Sequence, residues 1–218
     1  MRNNKVVGTA AIFVAFSSAL AIVCSLSDGF GPSLDPAPHE AAGRVLARQT
    51  LALLKPGGRI TVLSRDTVTF PNPASEIQFA AFRKELSKAG VKIDSVEAIQ
   101  IDPLKPAVVP SGDFVQCIKN SANGSVVVSL MGPPVLTEPQ LAQLGPVKPA
   151  VVAFCAGAVR DQVDLRGLFS QGLLQAAVVS KRNASIKPGR AQNEREAFDR
   201  QFVEVSAANL SALSSSSP

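Results

Sequence analysis

The sequence predicts an α/β domain built on a doubly wound, mostly parallel sheet of five strands with helices on both faces. Apolar residues recur along the 218 residues in blocks that alternate between short runs and helical spacing, with Pro and Gly between the blocks. The short runs are rich in β-branched residues, which is typical of strands buried on both faces. Strands that alternate with helices in this way indicate a parallel sheet, because parallel neighbours need a helix-length crossover.

The first half of the predicted domain starts with a helix over residues 40–55, which ends at a Pro-Gly-Gly turn. Residues 59–64 are a β-branched run too short for a helix and predict the first strand. Helical spacing returns over 74–89 and stops at Gly90. Residues 91–101 alternate in character and predict the second strand, which Asp102-Pro103 ends.

The second half repeats the cycle three times. Helices are predicted over 113–121, 137–144 and 165–171, and strands over 125–130, 150–155 and 173–180. Residues 183–195 are polar and rich in turn formers, and 198–205 fit either a late helix or an edge strand. The serine-rich end, 214–218, is predicted to be disordered.

The N-terminus carries a predicted membrane segment. Residues 6–26 contain no charged side chain, and they follow Arg2 and Lys5. A helix of this length spans about 30 Å, the thickness of the hydrocarbon core, and the basic flank predicts a cytoplasmic N-terminus. The bulk of the chain is then extracytoplasmic, or periplasmic if the protein is bacterial. Cleavage near Ala19-Leu20-Ala21, as in a signal peptide, remains an alternative.

This segment divides the chain into four predicted parts. Residues 1–27 form a signal anchor or transmembrane helix, and 28–39, with several Pro and Gly, form a linker. The α/β domain takes 40–182, and a C-terminal extension takes 183–218.

Composition excludes several kinds of site. The chain has one His, no Trp and no Tyr, and its three Cys lack CxxC or zinc spacing, so no metal site is predicted. No GxGxxG or GxxxxGK[ST] motif follows the first strand, so no nucleotide cofactor is predicted. The net charge of +5 comes from scattered Lys and Arg, which does not indicate nucleic-acid binding. Cys117 and Cys155 are either a pair or two buried free thiols.

The candidate ligand-binding residues are chosen by topology. Ligands of open parallel sheets bind beyond the carboxyl ends of the strands, where loops and helix N-termini converge. Arg65 and Asp66 are the sharpest candidates, because opposite charges beside a strand end can orient an ionic ligand. The alternative for every candidate is that it caps a helix or closes a turn. The full set selected in this way is Arg65, Asp66, Thr67, Asp102, Ser129 and Gly132.

A resemblance to a known family covers about residues 55–180. It is carried by residues 55–63 (KPGGRITVL), 82–93 (FRKELSKAGVKI), 112–114 (GDF) and 125–129 (SVVVS). These segments are similar to one lobe of the type I periplasmic solute-binding proteins. The resemblance implies a sheet like that of a single solute-binding-protein lobe, with a flavodoxin-like sheet as the alternative, and a small-molecule ligand. Proteins of that family bind ligand between two lobes, so it also implies that a partner or a second copy completes the cleft, or that binding has been lost.

A second, shorter resemblance covers residues 151–179. Residues 151–157 (VVAFCAG) and 172–174 (GLL) resemble the cysteine elbow of the DJ-1/PfpI family, which implies a reactive thiolate at Cys155. No His follows Cys155, and Glu76 lies in a predicted helix, so the base and acid of that family have no counterpart here.

Three functions follow from these patterns. The favoured one is a membrane-anchored extracytoplasmic module that binds a small molecule or a protein partner without catalysis. The alternative is a cysteine-dependent enzyme or redox sensor centred on Cys155. A structural component of a larger complex is the third, and it predicts an exposed apolar patch on one sheet edge or helix face.

Overall fold

A computed structural model describes residues 34–100, 107–145, 148–182, 184 and 191–213. Helices and strands alternate along these residues. The helices are α1 Pro36–Leu53, α2 Pro73–Lys88, α3 Ser111–Asn120, α4 Glu138–Gln143, α5 Ala158–Gln162, α6 Leu165–Ser170 and α7 Glu194–Gln201, followed by a 3-10 helix over Ala207–Leu213. The strands are β1 Ile60–Arg65, β2 Ser95–Ile99, β3 Val126–Ser129, β4 Ala150–Cys155, β5 Ala176–Ser180 and β6 Phe202–Ser206.

The described strands form one sheet in the order β2-β1-β3-β4-β5-β6. The first five strands are parallel, and β6 runs antiparallel to β5. The register is regular: Val62 of β1 lies opposite Val96 of β2 on one side and Val128 of β3 on the other. The predicted mostly parallel α/β sheet is confirmed, but the predicted count of five strands is wrong because β6 adds a sixth.

The sixth strand lies within residues 198–205, for which the sequence predicted either a late helix or an edge strand. The segment contains both, since α7 ends at Gln201 and β6 begins at Phe202 without a loop between them. Phe198, Phe202 and Val205 are all buried. Residues beyond 182, the predicted end of the domain, supply a strand and a core helix of the same compact unit.

Helices cover the sheet on both faces, each over its own apolar core. Alternate residues of a strand face opposite sides, so Val126 and Val128 join one core while Val127 joins the other. The first core contains buried residues of α1, α2 and α7, and the second contains those of α3, α5 and α6. Burial on both faces explains why the central strands are continuous apolar runs in the sequence.

Helix α1 is longer than predicted and is part of the core. The Asp35 side chain caps it by accepting a hydrogen bond from the backbone amide of Ala37, and Pro36 stands in its first turn. Residues 36–39, which the sequence assigned to a linker, are therefore helical. Helices α1 and α2 pack closely, because a Cβ on Gly43 of α1 would lie 2.2 Å from the backbone oxygen of Gln78 in α2.

The predicted membrane segment, residues 6–26, lies outside the described residues, as do Asp102 and the end of the chain, 214–218. Within the part that the structure describes, no helix has both the length and the apolar character needed to cross a bilayer.

Candidate ligand-binding site

The strand order creates a crevice at one end of the sheet. The chain leaves β1 for β2 on one side and later returns to β3 on the other side of β1. The connections that follow β1 and β3 therefore diverge, and ligands of open α/β sheets bind at such a switch point. We call this end the carboxyl edge and define it by the residues that follow the first four strands, 66–72, 107–110, 130–136 and 156–157.

A cavity of about 100 Å³ lies at this switch point. Its walls come from the ends of β1, β3 and β4 and from the beginnings of α2 and α5. The lining residues are Arg65, Ser75, Ala107, Leu130, Met131, Phe154, Ala156 and Val159. Of the predicted residues that the structure describes, Arg65 alone is in this lining.

Arg65 is the last residue of β1 and is half-buried. Its Nε is buried and has no hydrogen-bond partner among the described residues. A buried donor without a partner costs about 1–3 kcal/mol, more when the group is charged. An oxygen atom of a bound ligand would remove that cost, so the guanidinium is a natural donor for a hydroxyl or carboxylate in the cavity.

Asp66 is engaged in its own turn. Its carboxylate accepts hydrogen bonds from the Thr69 hydroxyl at 2.7 Å and from the Val68 amide at 2.9 Å. The bond from the Thr69 side chain, followed by that from the Val68 backbone, lowers the pKa of Asp66 below its usual range. Asp66 and Arg65, both of which the structure describes, do not form an ion pair with each other. Its contacts match the turn-closing alternative, and neither it nor Thr67 lines the cavity.

Ser129 and Gly132 shape the turn that follows β3. Ser129 is fully buried, and its hydroxyl donates to the Gly132 carbonyl at 2.7 Å. Gly132 has a φ of +76°, and a Cβ on it would lie 2.2 Å from Cγ1 of Val159. Both residues therefore position Leu130 and Met131 at the cavity without reaching it themselves.

Cys155 lies in the core on the α3 side of the sheet and has no exposed surface. Burial raises the pKa of its thiol to about 12, so the thiol is protonated at neutral pH. Cys117 is also buried, and both cysteines are free. The sequence left open whether Cys117 and Cys155 are paired or are two buried free thiols, and the structure has two buried free thiols. A nucleophilic cysteine needs a lowered pKa and access to substrate, and Cys155 has neither.

Residues that sequence reasoning missed make up most of the lining. The strand-end rule was applied to polar side chains, whereas Leu130, Met131 and Phe154 are apolar, and Ser75 enters from the first turn of α2. Phe154 stands one residue before the end of β4, so the same rule would have found it if apolar positions had been included.

The opposite, amino edge of the sheet holds a larger cavity of about 460 Å³. Lys55 and Lys148 contribute cationic side chains to its lining, and Asn123, Gln171 and Gln175 contribute amides. Helices α1 and α6 end here, at Leu53 and Ser170, and lysines complement the negative ends of the two helix dipoles. That arrangement explains the two lysines without a ligand.

The described residues bring together no group of three or more His, Cys, Asp or Glu side chains able to hold a metal ion.

Solved structures of solute-binding proteins share this fold. The arabinose-binding protein AraP of Geobacillus stearothermophilus superposes with a TM-score of 0.52 at 11% identity, over 83% of this chain and 63% of that one. A carbohydrate transporter solute-binding protein of Agrobacterium radiobacter, in complex with D-arabinose, gives a TM-score of 0.50 at 14% identity, over 82% and 63% of the two chains. A transporter solute-binding protein of Burkholderia graminis, also with D-arabinose, gives 0.50 at 16%, over 80% and 61%.

The chain thus spans less than two thirds of the length of these proteins. At such low identity the likeness concerns the fold, and at that level the predicted resemblance to one lobe of a solute-binding protein is confirmed. No protein-family model matches the sequence, and no curated protein matches it.

Proposed function

We propose that this chain is an extracytoplasmic ligand-binding module that is held at the membrane by residues 6–26 and takes a small hydroxylated solute, such as a pentose, at its carboxyl edge. The observation that carries the proposal is the buried Nε of Arg65, which has no hydrogen-bond partner among the described residues and lies at a cavity at the switch point between β1 and β3. The solute class is suggested by the structural neighbours, two of which are described as complexes with D-arabinose.

The lining supplies the groups that such a solute needs. The Arg65 guanidinium donates to hydroxyl oxygens, and the Ser75 hydroxyl both donates and accepts. Phe154, Leu130 and Met131 provide apolar surface for the C–H faces of a sugar ring. A few placed polar groups on a mainly apolar wall are typical of small-molecule sites.

The cavity is too small to enclose the solute alone. Sites for small molecules have volumes of about 300–1,000 Å³, whereas this cavity has about 100 Å³. The carboxyl edge is therefore half of a cleft in this proposal. The length comparison supports that reading, since the chain spans about 60% of its two-lobed structural neighbours.

Attachment to the membrane is supported by sequence. Residues 6–26 are uncharged and long enough to span the hydrocarbon core, and Arg2 and Lys5 precede them. This orientation places the sheet outside the cytoplasm, where solute-binding modules meet their ligands.

Calorimetric titration of the full chain in detergent with D-arabinose and a panel of other pentoses and hexoses tests the proposal. At least one sugar should bind, and Arg65→Ala should weaken that binding about 10-fold or more, the loss expected for a hydrogen bond from a charged donor. Arg59→Ala is the matched control, because Arg59 precedes the same strand at the amino edge and its side chain is 72% exposed. Its affinity should match that of the wild type.

Failure of every sugar to bind, or equal affinities for Arg65→Ala and the wild type, would contradict the proposed function. A melting curve of each variant separates lost binding from lost folding.

A further inference from the structure

Exposed apolar side chains are concentrated at the carboxyl edge. Six large hydrophobic residues are well exposed within the described ranges, and four of them stand in the loops that follow β1, β2 and β3. Those strands are neighbours in the sheet, so the four residues share one end of the molecule. They are Val68, Phe70, Val108 and Val135, of which Val68 is 92% and Val135 65% exposed. We call these four residues the apolar rim.

Few charges stand beside the apolar rim. Asp66 is the one ionisable residue among those that define the carboxyl edge, and its carboxylate already accepts hydrogen bonds from Val68 and Thr69. The connection after β2 also contains Asp102 and Lys105, which are of opposite sign and lie outside the described residues. Prolines at 71, 110, 133 and 134 restrict the backbone of these loops. An apolar patch with such neighbours is typical of a surface that is covered in use.

The chain also enters the domain at this end. The ring of His39, in the first turn of α1, packs edge-on against Phe202, with the ring centroids 6.0 Å apart. Phe202 pairs with the last residue of β5, which marks the carboxyl end of the parallel strands. Helix α1 then runs to the amino edge, where the Lys55 amide donates to the Gly124 carbonyl. The helix therefore starts, next to Asp35, at the same end of the sheet as the apolar rim.

The chain between the predicted membrane segment and this end is short. Eight residues, 27–34, precede Asp35, and fully extended they reach about 29 Å at most. The headgroup layer takes up about 5–7 Å of that reach, which leaves about 22 Å. Helix α1 has 18 residues and separates the two edges of the sheet by about 27 Å. The eight residues are therefore too few for the amino edge to face the bilayer, whereas the carboxyl edge can rest on it.

We propose that the apolar rim rests on the bilayer, so that the carboxyl edge faces the lipid headgroups and the rim enters the boundary between headgroups and acyl chains. The inference rests on the proposed function for the attachment through residues 6–26. That attachment makes a weak contact sufficient, because it holds the rim at a high effective concentration beside the surface. A separate partner would have to be recruited from solution, whereas the bilayer is present wherever the chain is attached.

The contact would also give the Arg65 cavity its second wall. Ala107, Leu130 and Met131 line the cavity and belong to the same loops as the apolar rim. A headgroup layer against those loops would therefore lie over the cavity. That layer is polar, so a small hydroxylated solute can pass through it to the Arg65 guanidinium.

Tryptophan fluorescence in vesicles tests the inference, because the chain has no Trp of its own. Full-length Val68→Trp and Val135→Trp are reconstituted separately into phosphatidylcholine vesicles, with and without bromine on the acyl chains. Bromine quenches a Trp that reaches the acyl chains, and an interfacial apolar surface enters by about 5–10 Å, so both variants should lose about half of their fluorescence or more. Both replaced side chains are exposed, so the fold should survive, which circular dichroism checks.

Val96→Trp is the matched control. Val96 is 47% exposed, but it lies within the edge strand β2 and not in the loops of the carboxyl edge. Trp favours membrane interfaces by itself, and this variant carries the same tendency. Its quenching should be at most about a third of that of Val68→Trp. A domain that lies on its side along β2 would quench Val96→Trp as strongly as Val68→Trp, which contradicts the inference.

A charge in the apolar rim should weaken the contact. Val68→Asp in the Val135→Trp background places a carboxylate against the acyl chains, where a charge is costly, and should lower the quenching about twofold or more. Val96→Asp in the same background should leave the quenching unchanged, which excludes a general effect of adding an aspartate.

The inference is overturned if Val68→Trp and Val135→Trp are quenched no more than Val96→Trp, or if the wild type fails to float with the vesicles. The two proposals fail separately. Quenching as expected in a chain that binds no sugar supports the contact and removes ligand binding. Arg65-dependent sugar binding without quenching of the rim variants keeps ligand binding and overturns the contact.

Discussion

The two ends of the sheet differ in what they leave exposed. The amino edge carries Lys55, Arg59 and Lys148 around a cavity of about 460 Å³, and none of the exposed large hydrophobic residues of the described chain lies there. The carboxyl edge has a cavity of about 100 Å³, apolar loops, and a buried Arg65 Nε without a described partner. Size alone would place a ligand at the amino edge.

Our proposal of a site at the other edge rests on electrostatics and topology. Helices α1 and α6 end at the amino edge, and the negative ends of their dipoles disfavour anions there. The long helix α2 begins at the carboxyl edge, and the strand order diverges between β1 and β3 there. The proposal therefore gives more weight to a polar group without a described partner than to the volume of the cavity.

The largest expected effect concerns Cys155, which lies at the carboxyl end of β4 but faces the core. In the folded protein its pKa of about 12 leaves a far smaller thiolate fraction at pH 7 than an ordinary thiol has. Alkylation of Cys155 by iodoacetamide, followed by mass spectrometry, should be more than about 1,000-fold slower than in urea-unfolded protein.

Cys117 is the internal control for this measurement, since it is also buried and burial raises its pKa to about 12 as well. The two cysteines should be protected to a similar degree. Fast labelling of Cys155 alone would revive the cysteine-centred function and would add a second chemical group to the carboxyl edge.

The sequence was most informative where residues are buried on both faces. Val126, Val127 and Val128 form an apolar run because both cores need side chains, so the central strands could be predicted from pattern. Strand β6 could not be predicted in this way. Phe198 and Phe202 are both buried and lie four residues apart. That spacing fits one face of a helix as well as alternate positions of a strand.

Part of the candidate site could be predicted from the sequence, and part of it could not. The strand-end rule led to the carboxyl edge and to Arg65, because topology depends on the order of the elements. It could not show that Asp66 bonds to Thr69, or that Ser129 bonds to Gly132. Such contacts depend on the local path of the backbone, which spacing along the chain does not reveal.

The next largest effect tests how tightly the amino edge is packed. A Cβ on Gly58 would lie 2.1 Å from the backbone oxygen of Gly124, and a backbone atom cannot rotate away. Gly58→Ala should therefore lower the free energy of unfolding by about 3 kcal/mol, as measured by urea denaturation.

Gly112→Ala provides the comparison at the carboxyl edge. Gly112 lies in the first turn of α3, and nothing is within 4 Å of a Cβ placed there. This variant should leave stability within about 1 kcal/mol of the wild type or raise it, since Ala is the better helix former. Equal losses at the two positions would contradict the contrast between a closed amino edge and an open carboxyl edge.

The smallest expected effect comes from Asp66, whose role is to hold the loop that presents Val68. Its pKa is lowered in the folded state, chiefly by the hydrogen bond from Thr69, so its ionised form stabilises the fold. That contribution is present above the unfolded pKa of about 3.9 and is lost as the pH falls through the lower folded value. Asp66→Asn should unfold at less urea than the wild type at pH 7, and the difference should shrink below about pH 4.

Asp94→Asn is the control from the amino edge, where Asp94 is paired with Arg59 at 3.9 Å and both side chains are well exposed. Exposed pairs of this kind contribute about 0–1 kcal/mol, so its urea midpoint should stay close to that of the wild type. If Asp66→Asn instead differs from the wild type by the same amount at pH 3 and pH 7, the carboxylate charge does not hold the loop. The apolar surface around Val68 would then owe its shape to the prolines alone.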